Sequence, residues 1–141
     1  LTRKLWALGL SVVSALGVVP PVGLLALVSR SKAPAPSATA VLIAGERRYE
    51  LEVATSAAQQ QLGLGGRASL PATRGMLFVF SSSAEHCFWM KGMQFALDII
   101  WLKADDKVVS VEAHLLPKSY PSAYCAVSED VVELNAGQAQ A

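Results

Sequence analysis

The chain has 141 residues, 52% of them hydrophobic and 16% charged, and its 12 Lys/Arg against 11 Asp/Glu leave a net charge of +1. One domain of ordinary size fits that length. The balance offers no basic footprint, so a nucleic-acid partner is not expected.

The mean hydropathy of +0.39 is high, and the excess sits at the front. Residues 5–28, "LWALGLSVVSALGVVPPVGLLALV", carry no charge and are bracketed by Arg3 and Lys4 on one side and Arg30 and Lys32 on the other. At about 1.5 Å per helical residue, such a run crosses a hydrocarbon core of roughly 30 Å. Residues 1–28 are therefore read as an N-terminal transmembrane helix that anchors the protein to a membrane. A cleaved signal peptide is the alternative, giving a secreted domain. The apolar run exceeds the roughly 7–15 residues of a signal core, and the one good small-residue cleavage pattern, Ala38-Thr39-Ala40, lies beyond Arg30 and Lys32. Pro20-Pro21 kinks the span. Two basic residues on each side leave the orientation open, and the default for an anchor of this type places the following domain outside the cytoplasm.

Residues 29–40, "SRSKAPAPSATA", lack large apolar side chains and read as an extended tether. Residues 41–141 form the single domain. They hold eight of the 12 Lys/Arg, the other four flanking the apolar run, and all 11 Asp/Glu, for a net charge near −3.

The domain's apolar pattern has a period of two. "YELEV" at 49–53 alternates apolar and charged residues, as a half-buried strand does, and "VLI" at 41–43 pairs with it as a hairpin through "AGER". Ser56 and Gln59 form a capping box ahead of one short helix over 57–63, with Gly63 as the stop. "GMLFVF" at 75–80 and "CFWM" at 87–90 read as two strands separated by "SSSAE". "LDIIWL" at 97–102 and "KVVSVEA" at 107–113 join through the turn Ala104-Asp105-Asp106. "DVVELN" at 130–135 is the last strand. Six or seven short strands and one helix predict a mainly β domain, a small antiparallel sandwich or barrel of jelly-roll type.

The order and spacing of "GLGGR", "GMLFVF", "FWMKGM", "LDIIWL", "KVVSV" and "VVELNAG" resemble the domain-of-unknown-function 192 family. The likeness covers roughly residues 51–139. It implies a small, mainly β fold, often behind a signal or anchor, and no reaction, because the family has no established one. The matching positions include Arg67, Gly75, Met76, Phe88, Trp89, Met90, Lys91, Asp98, Glu133 and Gly137. Departures fall at Gly65, at Gly92-Met93 and at Ala96.

"HCFWMKGM" at 86–93 gathers a histidine, a cysteine and two methionines, the donor set of a soft metal such as Cu(I). In a continuous strand, however, Cys87 and Met93 share a face and Met90 takes the other. Core packing is the expectation for the methionines, with neither a metal nor another cofactor required, and His86 reads as a solvent-facing loop residue. Cys87 and Cys125 allow one intrachain pairing, a disulfide if the domain is exported and two thiols if it is not. Phe78, Phe80 and Trp101 fall in strands and read as core.

Acidic Asp98 and Glu133 interrupt apolar runs, and buried charges need partners. One reading is a structural ion-pair set with Arg67, Arg74 and Lys91. The sharper one is a cleft for a small anionic or carbohydrate ligand, lined by Arg67, Trp89, Lys91, Asp98 and Glu133. A carbohydrate hydrolase using Asp98 and Glu133 is the alternative from another class. No nucleophile elbow, zinc-protease helix, CxxC pair or phosphate-binding glycine loop is present, so a ligand-binding or envelope-associated accessory module is expected rather than an enzyme.

Overall fold

The structure, a computed structural model, describes residues 38–139. The predicted anchor and residues 29–37 of the predicted tether lie outside the described residues. Among the described residues no helix is long and apolar enough to cross a membrane.

β1 (Thr39–Ala44) and β2 (Arg47–Ala54) form the predicted antiparallel hairpin. Gly45, at φ +60, takes the first central position of its two-residue turn, where a side chain would be strained. The alternation in β2 buries Tyr49 and Leu51. Helix α1 (Ala57–Leu62) starts at the capping box, with the Ser56 hydroxyl accepting from the Gln59 N–H and the Gln59 side chain accepting from the Ser56 N–H. Then follow β3 (Arg74–Trp89), β4 (Leu97–Leu102), β5 (Val108–Leu115), a 3-10 turn Pro117–Ser119 and β6 (Ala123–Asn135).

The six strands make one sheet in the order β1-β2-β3-β6-β4-β5. Two expectations are corrected here. The sheet is mixed rather than wholly antiparallel, because β2 and β3 run parallel. Parallel neighbours need a crossover of a dozen or more residues, and residues 55–73 supply it with α1 inside. Nor are there two stacked sheets of jelly-roll type. A single sheet curls until its edge strands β1 and β5 share the walls of one apolar groove, lined by Leu42, Ile43, Val108 and Val111.

"SSSAE" does not end a strand either. Val79 faces Asp130 and Ala84 faces Ser128, so residues 80–83 bulge opposite Glu129 alone while β3 continues. Beyond the bulge, β3 and the first half of β6 pair only with each other, from Ala84↔Ser128 to Trp89↔Ala123, and form a two-stranded ribbon. The ribbon curls back over the sheet, and Trp101 of β4 donates its indole N–H to the His86 carbonyl at 2.9 Å.

Alternation splits the interior into two clusters, one on each face. Met76, Phe78, Ile99, Trp101 and Val131 lie under the ribbon with Leu64 and Met90. Tyr49, Leu51, Leu102, Val132 and Leu134 fill the groove face. β6 lies between β3 and β4, so Val131, Val132, Glu133 and Leu134 are all buried, as befits a central strand covered on both sides.

Candidate functional site

Under the ribbon a cleft of about 280 Å³ opens between the loop after α1 and β3. Phe78, Phe80, Phe88, Leu64 and Met93 make its apolar walls, and Glu133 lies at its base. Phe78 and Phe88 meet edge to face at 4.8 Å, and His86 stacks on Phe80 at 3.5 Å. The bulge allows this arrangement, since it brings His86 and Phe88 of the ribbon over the same face as Phe78 and Phe80.

Glu133 is 5% exposed. Its carboxylate accepts the Leu64 N–H, while Oε2 has no hydrogen-bond partner among the described residues. Burial pushes its carboxyl up to about 8, against the opposing pull of the Leu64 N–H and the Arg67 charge. At neutral pH it is therefore mostly protonated, a hydrogen-bond donor facing an apolar cleft. Gly63 takes the turn after α1 in a left-handed conformation that strains a side chain, while leaving ordinary contact room toward the cleft. Its φ is +52, and a Cβ there would stand 3.4 Å from Phe78 Cζ and 3.6 Å from Glu133 Oε2.

Three of the five predicted residues meet at this cleft: Trp89, Lys91 and Glu133. Trp89 is 47% exposed and borders the opening. Lys91 lies in the turn after β3 and makes no ion pair among the described residues. That turn is held to the loop after α1 by a hydrogen bond from Gly66 N to Gly92 O at 2.9 Å.

Arg67 stands beside the cleft, committed elsewhere. Both terminal guanidinium nitrogens, Nη1 and Nη2, donate to Glu52, at 2.6 and 2.8 Å, and this fork holds the Glu52 carboxyl below its ordinary range. Arg74 is likewise paired, with Glu50 at 2.6 Å. Of the predicted ion-pair set, Arg67 and Arg74 are paired, but with Glu52 and Glu50 rather than with Asp98 and Glu133, and Lys91 takes no part among the described residues.

Asp98 is not at the cleft. Asp98 faces Leu134 and Ile99 faces Glu133, so the two acids leave the sheet on opposite sides. Asp98 is 0% exposed, and its oxygens accept the His114 and Ala139 N–H groups, each at 2.8 Å. It fixes the point where β5 carries an extra residue, His114 at φ +56, and ties down the C-terminal turn. The sheet between the two carboxyls removes the paired geometry a glycoside hydrolase needs.

The soft-metal alternative also loses its ligands. Cys87 and Cys125 face each other across the ribbon and form a disulfide, so neither offers a thiolate. The strand ends at Trp89, and the chain turns so that Met90 is buried in the core while Met93 packs against it. His86, expected in a solvent-facing loop, is a half-buried strand residue whose Nε2 has no partner among the described residues. No cluster of three or more metal-binding side chains occurs among the described residues.

Sequence reasoning missed Phe80, His86, Phe88 and Leu64 as cleft walls. Phe80 reads as core and Phe88 only as a position matching the family, and the bulge between them turns both into a lining.

The fold is similar to two crystal structures. One is a candidate transcription regulator from Sinorhizobium meliloti 1021, with 26% identity and a TM-score of 0.63 over 71% of this chain and 80% of that one. The other is a protein of unknown function from Novosphingobium aromaticivorans DSM 12444, with 27% identity and a TM-score of 0.62 over 74% of this chain and 85% of that one. No curated protein matches the sequence. Residues 39–141 match the family described as DUF192, uncharacterised ACR. That match runs from the first strand past the last, and the chain accordingly belongs to the DUF192 family.

Proposed function

We propose that this protein is a small-ligand-binding module, held to a membrane by its N-terminal hydrophobic run and working outside the cytoplasm. The observation that carries the binding role is Glu133, a buried carboxyl with one unpartnered oxygen at the base of an aromatic cleft. An unsatisfied buried polar group costs about 1–3 kcal/mol, and a ligand atom that meets Oε2 recovers that loss. A few convergent polar groups within apolar walls are the usual makeup of such a site. The exported setting is supported by the disulfide, since such bonds persist in oxidising compartments.

An anionic ligand has the weaker case, because Arg67 and Arg74 are both occupied by carboxylates. The description of the Sinorhizobium meliloti protein as a candidate transcription regulator finds little support here, given the acidic excess of residues 41–141.

The test is a titration of the isotope-labelled full chain with neutral sugars and amino acids, followed by amide NMR. Gly63, Leu64, Phe88 and Lys91 should shift while Gly45, in the distant hairpin turn, stays still. If no compound in the panel moves those four amides, the binding role is wrong. Thiol labelling of intact cells before and after reduction tests the compartment, and two free thiols without reductant would remove the exported setting.

A further inference from the structure

The cleft's chemistry is asymmetric, with an acid at its base and a lysine among the residues that line it. Resting on the binding role above, we infer that the ligand is a zwitterion of amino-acid size, its ammonium meeting Glu133 and its carboxylate meeting Lys91. The protein cation whose charge acts on Glu133, Arg67, is engaged with Glu52 through both terminal nitrogens. The ionised form of Glu133 therefore has no uncommitted cation beside it among the described residues, and a bound ammonium can bring one. Phe78, Phe80 and Phe88 line the same cleft, and an ammonium seated over a ring face is favoured over a neutral group. Lys91 is exposed and makes no ion pair among the described residues, so it is available as a point charge for a carboxylate.

The volume agrees with this class. About 280 Å³ falls below the range of drug-sized pockets, roughly 300–1,000 Å³. A neutral sugar would satisfy Oε2 but leave Lys91 unused, and a dianion would meet Lys91, the one unpaired cation among the described lining residues, together with an acid.

The protonation of Glu133 makes the ligand class readable. A zwitterion's ammonium binds the carboxylate form, so the carboxyl O–H bond breaks, its proton passes to solvent and an ammonium–carboxylate pair remains. A hydroxyl ligand binds the protonated form and releases nothing. The charged or titratable groups around Glu133 are Arg67 with its partner Glu52, His86 and Glu85 of β3, Lys91 in the turn, and Tyr124 of β6 on the adjoining cluster. Replacing Glu133 separates its proton from theirs.

The experiment is calorimetry of the full chain in non-ionic detergent with L-leucine and L-phenylalanine. Pairs of buffers that differ in ionisation enthalpy give the number of protons exchanged. We expect close to one proton released per ligand bound at pH 6.5, and an affinity that rises about tenfold per pH unit until it levels near pH 8. Glu133→Gln should abolish the proton release and weaken binding at least about tenfold. N-acetyl-L-leucine, which lacks the ammonium, should not bind. L-leucinamide should bind more weakly than L-leucine, and Lys91→Gln should remove that difference. Binding of the amino acids without proton release, or undiminished binding by Glu133→Gln, overturns the inference. Should N-acetylglucosamine shift the Gly63 and Leu64 amides while both amino acids leave them still, the binding role stands and the zwitterion falls. If none of these probes moves them, both fall.

Discussion

Asp98 and Glu133 stand one register step apart on neighbouring strands and leave the sheet on opposite faces. Each solves the problem of a buried carboxyl differently. Asp98 meets two backbone donors and closes a structural joint. Glu133 meets one donor and leaves one buried oxygen without a partner among the described residues, at a cleft it helps to line. The first acid serves stability and the second is available to a ligand.

Asp98→Asn tests the joint. An amide can accept only one of the two N–H groups and turns its own donors toward the other. Hydrogen bonds to a charged group contribute about 1.5–3 kcal/mol each, so a loss of roughly 2–3 kcal/mol is expected in urea unfolding. Hydrogen exchange should quicken at the His114 and Ala139 amides, with Leu64 unaffected until global unfolding.

Gly75→Ala tests how closely β2, β3 and β6 pack. A Cβ there would stand 2.6 Å from the Glu133 carbonyl oxygen and 2.7 Å from Leu51 Cδ2. The leucine can turn away, whereas the carbonyl belongs to the ladder of the central strand. Overpacking of this kind costs about 1–3 kcal/mol, and the upper end is expected from the fall in thermal midpoint.

Arg67→Gln should destabilise by about 1 kcal/mol near pH 6, the scale of a partly exposed ion pair. The Arg67 fork holds the Glu52 carboxyl below its ordinary value of 4.5. Its stabilisation is therefore present above that value and disappears as pH falls through the lowered folded value. Urea midpoints of the two proteins should converge toward pH 3, and a gap that persists there would point to packing rather than charge.

The local devices of this fold were legible from sequence. Alternation located Tyr49 and Leu51 inside, and the Ser56–Gln59 box located the start of α1. Long-range registers were not legible. The serines at 81–83 carry turn composition, yet a bulge against Glu129 keeps β3 running, because the partner strand supplies hydrogen bonds on either side. Asp98 and Glu133 both interrupt apolar runs, and which face each takes depends on strand pairing that neither run contains. The first half of β6 alternates only small or mildly apolar residues outside Tyr124, so its pairing with the ribbon was invisible until Cys87 and Cys125 were seen opposite each other.

Reduction of the disulfide tests the ribbon. The cysteines are 38 residues apart in sequence, and freeing a loop of that size costs roughly 4 kcal/mol in the chain-entropy account. The Cys87→Ser/Cys125→Ser protein should show a correspondingly lower urea midpoint that is indifferent to reductant, while the parent's midpoint falls to meet it when reductant is added. His86 and Phe88 sit on the same ribbon, so the cleft amides should also broaden.

Glu133→Gln joins stability to the cleft. The carboxyl's folded value is raised from 4.5 to about 8. Below pH 4.5 both folded and unfolded chains hold the proton, and the group exerts no pH effect. As pH rises from there toward 8, the unfolded chain releases the proton while the folded one retains it, so stability falls across that window and levels off above it. Each tenfold difference in proton affinity between the two states is worth about 1.4 kcal/mol, so the accumulated penalty by pH 8 is on the order of 4 kcal/mol. Glutamine retains the shape and a donor for the cleft but cannot ionise. Its urea midpoint should vary less between pH 5 and 9 than the parent's, with the variant the more stable protein at pH 9. Parallel pH profiles for the two proteins would mean that Glu133 ionises freely, and with that the protonated donor at the base of the cleft would be lost.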